Sequence, residues 1–233
     1  MNINNLYFKF HKNDDHYFFN NIQMQLSPGT LYVVQGENGV GKSTLFSILH
    51  GGADPESFLR ASVQVDDVST LDIVDQFPES FTRQVHLVEQ KYDTMLAQEC
   101  SFLENLKLAS MPRYPGLAPL ANPQLFPIIE KLGINLSQQV SRLSGGQRQL
   151  LAILMALQKP TRLLLLDEPT ATLDRINSRM IMDFLLQLAE ELNLIVMIIC
   201  HDKELIDEYP KSVTMQLVRQ RTGERTFTMK NAS

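Results

Sequence analysis

Nine residues from Gly36 to Thr44 leave this chain little choice of fold. Gly36, Glu37, Asn38, Gly39, Val40, Gly41, Lys42, Ser43 and Thr44 follow the spacing G-x-x-x-x-G-K-[ST]. An apolar run from Leu31 to Val34 precedes them, and a helical pattern from Lys42 to Leu49 follows, so the order is strand, glycine loop, helix. The glycines allow backbone N–H groups to converge on phosphate oxygens. Gly41, Lys42 and Ser43 stand where a helix begins, and there the unpaired N–H groups and the macrodipole favour an anion. In this reading Lys42 meets the β- and γ-phosphates of a nucleotide and Ser43 ligates Mg²⁺. The competing reading is a structural glycine-rich turn, which the flanking strand and helix disfavour.

The remaining pattern agrees with an open α/β sheet. Leu163 to Leu166 and Leu194 to Ile199 read as buried strands, separated by a helix from Ile176 to Leu192. Continuous apolar strands alternating with helices argue for a parallel sheet covered on both faces. Near the start, Leu6 to Phe10 and Ile22 to Leu26 alternate as half-buried strands do, and the tail reads as a hairpin, Ser212 to Val218 and Thr226 to Lys230 around Thr222 and Gly223. Between about Lys91 and Lys159 the pattern turns helical. Phe102, Leu103, Leu106 and Leu108 mark one amphipathic stretch and Ile128, Ile129 and Leu132 another, with Pro112, Pro115, Gly116, Pro119 and Pro123 enforcing a loop between them.

Composition narrows the function classes. With 233 residues, 44% of them hydrophobic and 20% charged, the chain can bury a substantial core. Its formal charge of -5 disfavours a broad nucleic-acid surface, so no nucleic-acid partner is expected. Cys100 and Cys200 match neither metal-ligand spacing nor a disulfide framework, which fits a reducing compartment. No secretory signal is evident at Met1. The longest apolar stretches, Leu150 to Leu157 and Leu194 to Cys200, fall short of the roughly 18 to 20 residues that span a bilayer.

Two further motifs carry chemistry. Asp167 and Glu168 end an apolar strand, where ligands bind in an open α/β sheet. Asp167 suits the Mg²⁺ hydration shell, and Glu168 suits polarising the water that attacks a γ-phosphate. Leu143 is followed by Ser144, Gly145, Gly146 and Gln147 just before a helical run from Arg148, which makes a second anion-binding device at a helix start or, more plainly, a helix-initiating loop capped by Ser144.

Phosphate loop, Leu-Ser-Gly-Gly-Gln and Leu-Leu-Leu-Leu-Asp-Glu-Pro, in that order, resemble the ATPase subunit of an ATP-binding cassette (ABC) transporter along nearly the whole chain. The resemblance implies an α/β fold, a P-loop NTPase of ABC type, with a mixed sheet core, an N-terminal antiparallel β part and an inserted helical subdomain. It implies one ABC ATPase domain over 1–233, its nucleotide-binding lobe from 1–90 and 160–233 and its helical signature subdomain from 91–159. It assigns Gln90 to sensing Mg²⁺ and the attacking water, Asp174 to a contact across a dimer, and His201 to the γ-phosphate. Gly36 to Thr44 and Ser144 to Gln147 would then bind ATP, Ser43, Gln90 and Asp167 the metal, and Glu168, His201 and Gln90 would serve catalysis. His11, His16, His50 and His86 share no ligand spacing and read as structural or solvated.

Two positions depart from the family pattern. Members stack adenine on an aromatic residue ahead of the phosphate loop. The stretch from Phe10 to Phe19 carries an insertion that leaves Phe10 and Tyr17 as alternatives, each equally suited to a core-facing strand position. Met155 stands where members often carry arginine. The signature helix and the N-terminal hairpin are similar to a bacterial subgroup for amino-acid uptake through a lipoprotein receptor.

The partners implied are a second, identical cassette, integral membrane permease subunits and a solute-binding lipoprotein, with the chain peripheral on the cytoplasmic face of the inner membrane. A soluble ABC ATPase for cofactor assembly or cell division, without a transported solute, uses the same residues and is the alternative.

Overall fold

The computed structural model describes residues 1–66, 69–112, 129, 133–220, 223 and 225–230. In chain order the elements are β1 (Asn2–Lys9), β2 (Phe19–Gln25), β3 (Thr30–Gln35), α1 (Lys42–His50), β4 (Phe58–Asp66), β5 (Ser69–Val74), α2 (Glu79–Thr82), β6 (Val85–Val88), α3 (Phe102–Ser110), α4 (Gly145–Ala156), β7 (Leu163–Asp167), α5 (Arg175–Leu192), β8 (Ile195–Ile199), α6 (Lys203–Asp207), β9 (Val213–Arg219) and β10 (Arg225–Lys230). The strands share one sheet in the order β5-β4-β1-β2-β10-β9-β3-β8-β7-β6.

The expected continuous strands lie at the centre of a parallel half-sheet. All five residues of β8 and the first four of β7 are buried, since helices cover both faces. Their side chains alternate between two cores. Leu164, Leu166, Val196 and Ile198 join Phe102, Leu106 and Leu150 to Leu154 on the α3–α4–α5 side, while Leu163, Leu165, Ile195 and Met197 join Leu45, Phe46 and Leu49 of α1 on the other. The helices from the middle of the chain thus share a core with the sheet.

The N-terminal strands follow period 2 except for one step of three in each, across Asn5 (φ 53°) in β1 and Asn21 (φ 52°) in β2. Ile3, Leu6 and Phe8 of β1 and Phe19, Ile22 and Met24 of β2 face inward, and β1 pairs antiparallel with both β2 and β4. β4 and β5 add an antiparallel pair to the strands expected. Leu59, Ala61 and Val63 alternate with Arg60, Ser62 and Gln64, and that alternation is the signal that places β4. The tail forms the expected hairpin, with Arg225 opposite Arg219 and Lys230 opposite Thr214. Its second strand also meets β2 in parallel at Arg225 and Phe19, so the hairpin joins the antiparallel and parallel halves of the sheet.

Local chemistry sets the helix boundaries. Ser101 caps α3 in a reciprocal box, its hydroxyl accepting from the Glu104 N–H while Glu104 accepts from the Ser101 N–H at 2.7 Å; such caps contribute about 1 kcal/mol. Asn193 ends α5 in the left-handed region at φ 52°. The second helical pattern, apart from buried Ile129, and the loop from Pro115 to Pro123 lie outside the described residues, as does Thr222.

Candidate functional site

Parallel pairing aligns the C-terminal ends of four strands on one edge. Val34 of β3 and Asp167 of β7 both pair with Ile199 of β8, and Val88 of β6 pairs with Leu166. The chain leaving each strand therefore delivers its next residues to the same place: Gly36 to Thr44 after β3, Gln90 after β6, Glu168 after β7 and His201 after β8. Four segments far apart in sequence converge because the strands run the same way.

The phosphate loop has the backbone its glycines were expected to supply. Gly36, Gly39 and Gly41 have φ of 155°, 75° and 106°. Gly36 is also needed for space, because a Cβ there would lie 2.5 Å from the Leu217 carbonyl oxygen. Lys42 opens α1 and is 6% exposed. Its ammonium donates to the carbonyls of Gly36 and Glu37, both at 3.0 Å, and so bridges the loop it terminates. Burial draws its pKa below the ordinary lysine value, opposed by the negative charges of Glu168 and Asp167. The two strand-end carboxylates are thus close enough to act on the phosphate-loop lysine.

Glu168 is the centre of the arrangement. Its φ of 51° is unusual for a residue with a side chain and turns the chain sharply at the end of β7, where its N–H donates to the Ile199 carbonyl at 3.2 Å. The carboxylate lies between two other candidate residues, which the family resemblance assigns to the metal and water and to the γ-phosphate. Gln90 Nε2 donates to Oε2 at 3.1 Å, and His201 Nε2 stands 3.2 Å from Oε1, which fits the tautomer bearing its proton on Nε2. A cleft of about 460 Å³ opens beside them, lined by Glu168, Thr170, Arg175, Cys200, His201 and Asp202 among others. Cys200 packs beside the histidine; it is 3% exposed, and burial pushes its thiol pKa up.

Among the described residues no three His, Cys, Asp or Glu side chains form a self-contained metal cage. What the strand ends offer is one carboxylate, Asp167, and the Ser43 hydroxyl at the start of α1. This hard-oxygen donor set fits Mg²⁺, which takes one or two protein ligands and completes its shell with water and substrate phosphate.

Ser144 to Gln147 form the N-terminus of α4, away from those strand ends in sequence and element. Ser144 and Gln147 make a reciprocal capping box, the Gln147 N–H donating to Ser144 Oγ at 3.2 Å and the Ser144 N–H to Gln147 Oε1 at 3.0 Å. The glycines have a packing reason that the sequence does not disclose. A Cβ on Gly146 would come within 2.7 Å of Asn177 Oδ1 and 2.9 Å of Met180 Cε on α5, and one on Gly145 would lie 3.3 Å from Leu173 Cδ2. Asp174 caps α5, accepting from the Asn177 N–H at 2.9 Å and from Asn177 Nδ2 at 2.6 Å, and these bonds lower its pKa. Signature and aspartate loop are therefore in contact through Asn177.

The aromatic residues before the phosphate loop separate. Tyr17 packs with Tyr7 at 5.3 Å and Phe58 at 5.9 Å, under the Lys9 ammonium, in a groove on the outer face of β1 and β4. Phe10 is 46% exposed and meets Phe18 edge-on at 4.6 Å. A Cβ on Gly41 would fall 3.2 Å from Phe19 and 2.6 Å from Phe18, the ring nearer the loop. Above it lies the Arg225 guanidinium, 3.6 Å from the ring centre, whose Nε donates to the Val40 carbonyl at 2.8 Å. Phe18 and Arg225 contact the phosphate loop without any sign of it in the sequence; Arg225 reaches the loop because β10 pairs with β2. Of the other histidines, His50 Nδ1 lies 3.0 Å from the Val85 carbonyl and His86 Nε2 lies 3.3 Å from that of Pro160, and both contacts are structural.

Comparisons with known proteins bear on the family and the fold. The family model described as ABC transporter matches residues 19–171. The lipoprotein-releasing system ATP-binding protein LolD of Pseudoalteromonas translucida is 32% identical over 193 residues, 82% of this chain and 81% of that protein. The phosphonates import ATP-binding protein PhnC 2 of Oceanobacillus iheyensis is 26% identical over 236 residues, 97% and 89% of the two chains. Among solved structures, a dimeric ATP-binding cassette in a post-hydrolysis state with ADP and Pi superposes with a TM-score of 0.63 at 22% identity, covering 93% of this chain and 94% of the other, and shares its fold. With a phosphate loop, a strand-end acid pair and a signature helix in one framework, and with relatives alike over most of their length, this chain belongs to the ABC transporter family.

Proposed function

We propose that this protein is the ATP-hydrolysing subunit of an ABC transporter and drives solute transport through membrane partner subunits by ATP-dependent pairing of cassettes. The observation that carries the reading is Glu168 held between Gln90 at 3.1 Å and His201 at 3.2 Å, at strand ends shared with the phosphate loop. The chain supplies each element that phosphoryl transfer to water needs. Backbone N–H groups from Gly36 to Thr44 receive the phosphates, with Lys42 at the β/γ position and Ser144 to Gln147 of a second copy closing over the nucleotide. Glu168 orients and polarises the attacking water, Gln90 fixes one carboxylate oxygen and the His201 Nε2–H the other, and on nucleotide binding that N–H would turn from the carboxylate to the γ-phosphate. Mg²⁺, held by Ser43 and Asp167 with Gln90 alongside, would neutralise charge on the phosphate oxygens.

The phosphate loop leads into α1 whereas Ser144 caps α4, and this separation within one chain suits a head-to-tail dimer in which each copy completes the other's site. Asp174 would then contact the partner from its position at the start of α5. Closure would be a population shift, driven by tighter ATP binding to the paired state. The segment after Gln90 and the helices of 91–159 would pass the movement from the nucleotide-binding lobe of 1–90 and 160–233 to integral membrane permease subunits at the cytoplasmic face of the inner membrane. No described helix is long and apolar enough to cross a membrane, so attachment would run through those partners. The relatives named above serve lipoprotein release and phosphonate import, and the solute is accordingly selected by partner subunits rather than by this chain, a solute-binding lipoprotein being one such partner.

The test pairs chemistry with partnership. Glu168→Gln should keep ATP binding and accumulate a closed dimer on size exclusion while turnover falls about 10²-fold or more, the range for loss of a positioned base; unchanged turnover would remove Glu168 from its role. Affinity purification of the tagged chain from detergent-solubilised cells should recover a multi-span membrane protein. Recovery of soluble partners alone, with ATPase activity intact, would instead support the assembly or division reading.

A further inference from the structure

We infer that Arg175 is a positioning residue for hydrolysis: it ties the loop carrying Asp174 to the loop carrying His201, so the dimer-facing and γ-phosphate-facing groups move as one unit. The inference rests on the proposed roles of Asp174 and His201. Arg175 directly follows Asp174, and Asp202 directly follows His201. The guanidinium spans the two segments, Nη1 donating to Asp202 Oδ2 at 2.8 Å and Nη2 to Glu208 Oε1 at 2.6 Å. Asp202 is held from both sides, because its other oxygen, Oδ1, accepts from the Leu205 N–H at 2.9 Å and caps α6.

This gives the backbone bearing His201 a fixed anchor on α5. Without it the histidine loop is fastened at one end by β8 and at the other only by the five-residue helix Lys203–Asp207, which is held through the packing of Leu205 and Ile206 and offers no direct tie to α5 at Asp202. Arg175 also lines the same cleft as Glu168 and His201, so its charge and its hydrogen bonds act at the edge of the chemistry. The planar fork suits the task, since it reaches two carboxylates in one fixed geometry whereas an ammonium reaches one at a time. Arg179 directs both of its bonds, at 2.7 and 3.0 Å, to Glu208, which makes it an internal comparison for the outer limb of the same network.

ATP turnover of the purified full chain separates positioning from general support of the fold. Arg175→Ala should lower kcat about 10-fold with KM for ATP within about twofold, and Arg175→Lys should recover all but about threefold. Asp202→Asn, which retains the helix cap and loses the charge, should match Arg175→Ala, and the double variant should be no slower than either single one. Arg179→Ala should leave kcat unchanged. In a His201→Ala background, Arg175→Ala should cost nothing further.

Three results would overturn the inference: wild-type kcat in Arg175→Ala, losses from Arg175→Ala and Asp202→Asn that multiply, or an equal loss in Arg179→Ala. If His201→Ala leaves no measurable turnover, the Arg175–Asp202 cycle decides alone. Wild-type turnover in His201→Ala would sink the role of the histidine itself, and that failure is visible without any Arg175 variant.

Discussion

Gly146→Ala should destabilise the protein even though it replaces glycine inside a helix. In a helix interior that exchange stabilises by about 0.5–1 kcal/mol, because alanine loses less conformational freedom on folding. Gly146 has no positive φ to forfeit, so the backbone raises no objection. Space does: the new Cβ would stand 2.7 Å from Asn177 Oδ1, 3.1 Å from Asn177 Cγ and 2.9 Å from Met180 Cε. Met180 can swing its terminal methyl aside, but Asn177 is pinned by its 2.6 Å bond to Asp174. Overpacking of this kind costs about 1–3 kcal/mol, and set against the helix gain it leaves a loss of about 1 kcal/mol. For a chain of this size that is a fall in Tm of about 2–4 °C. Gly145→Ala is the matched comparison, since its nearest neighbour is a Leu173 methyl at 3.3 Å and the helix gain is largely kept. Thermal unfolding followed by circular dichroism, without nucleotide and at fixed protein concentration, reads both. Gly146→Ala melting at or above the wild-type temperature would refute the packing argument and leave phosphate binding as the sole reason for glycine at 146.

Other expectations follow from single contacts. Lys42→Ala removes the buried ammonium that bridges the Gly36 and Glu37 carbonyls and should weaken nucleotide binding itself, read by titration with a fluorescent ATP analogue; unchanged affinity would contradict the placement. In the same titration Phe10→Ala should weaken binding about 10-fold, within the range of about 1–3 kcal/mol for a base stacked on an aromatic ring, while Tyr17→Ala, in its separate groove, should change it less than twofold. The carboxyl of Glu208, bonded to Arg179 and Arg175, is held down at about 2 from the usual 4.5. A lowered folded-state pKa means that the unfolded chain binds its proton first, so the stability from this group is full above pH 4.5 and drains as pH falls toward about 2. Glu208→Gln should flatten the pH dependence of unfolding across that window, measured by denaturant titration at several pH values, and an unaltered slope would exclude the network as its source.

Much of the fold was open to inspection in the residues because each local pattern had one physical solution. Leu163 to Leu166 and Ile195 to Ile199 have no polar face to leave in water, so they occupy the middle of a sheet covered on both sides. Gly36 to Thr44 sit between a strand and a helix, and the loop has the positive φ angles its glycines permit. β4 was not anticipated although Leu59, Ala61 and Val63 alternate, and its neighbours had no local signal at all, since pairing of β1 with β4 joins residues about 50–60 apart and no local spacing encodes a long-range register.

The candidate site divides along the same line. The sequence determined the chemistry available: a phosphate loop, a carboxylate pair at a strand end, a capped signature helix, and a glutamine and a histidine after strands. Tertiary structure decided which of these meet. Parallel pairing brought Gln90 and His201 to opposite oxygens of Glu168, and the β10–β2 junction carried Arg225 from near the end of the chain onto Phe18 and the Val40 carbonyl. It also separated two aromatic side chains that local pattern treats alike, turning Tyr17 toward Tyr7 and Phe58 and leaving Phe10 beside Phe18. Local residue types fix dihedral preferences and reactive groups, whereas the direction a side chain finally faces depends on strand register and on packing partners far away in sequence.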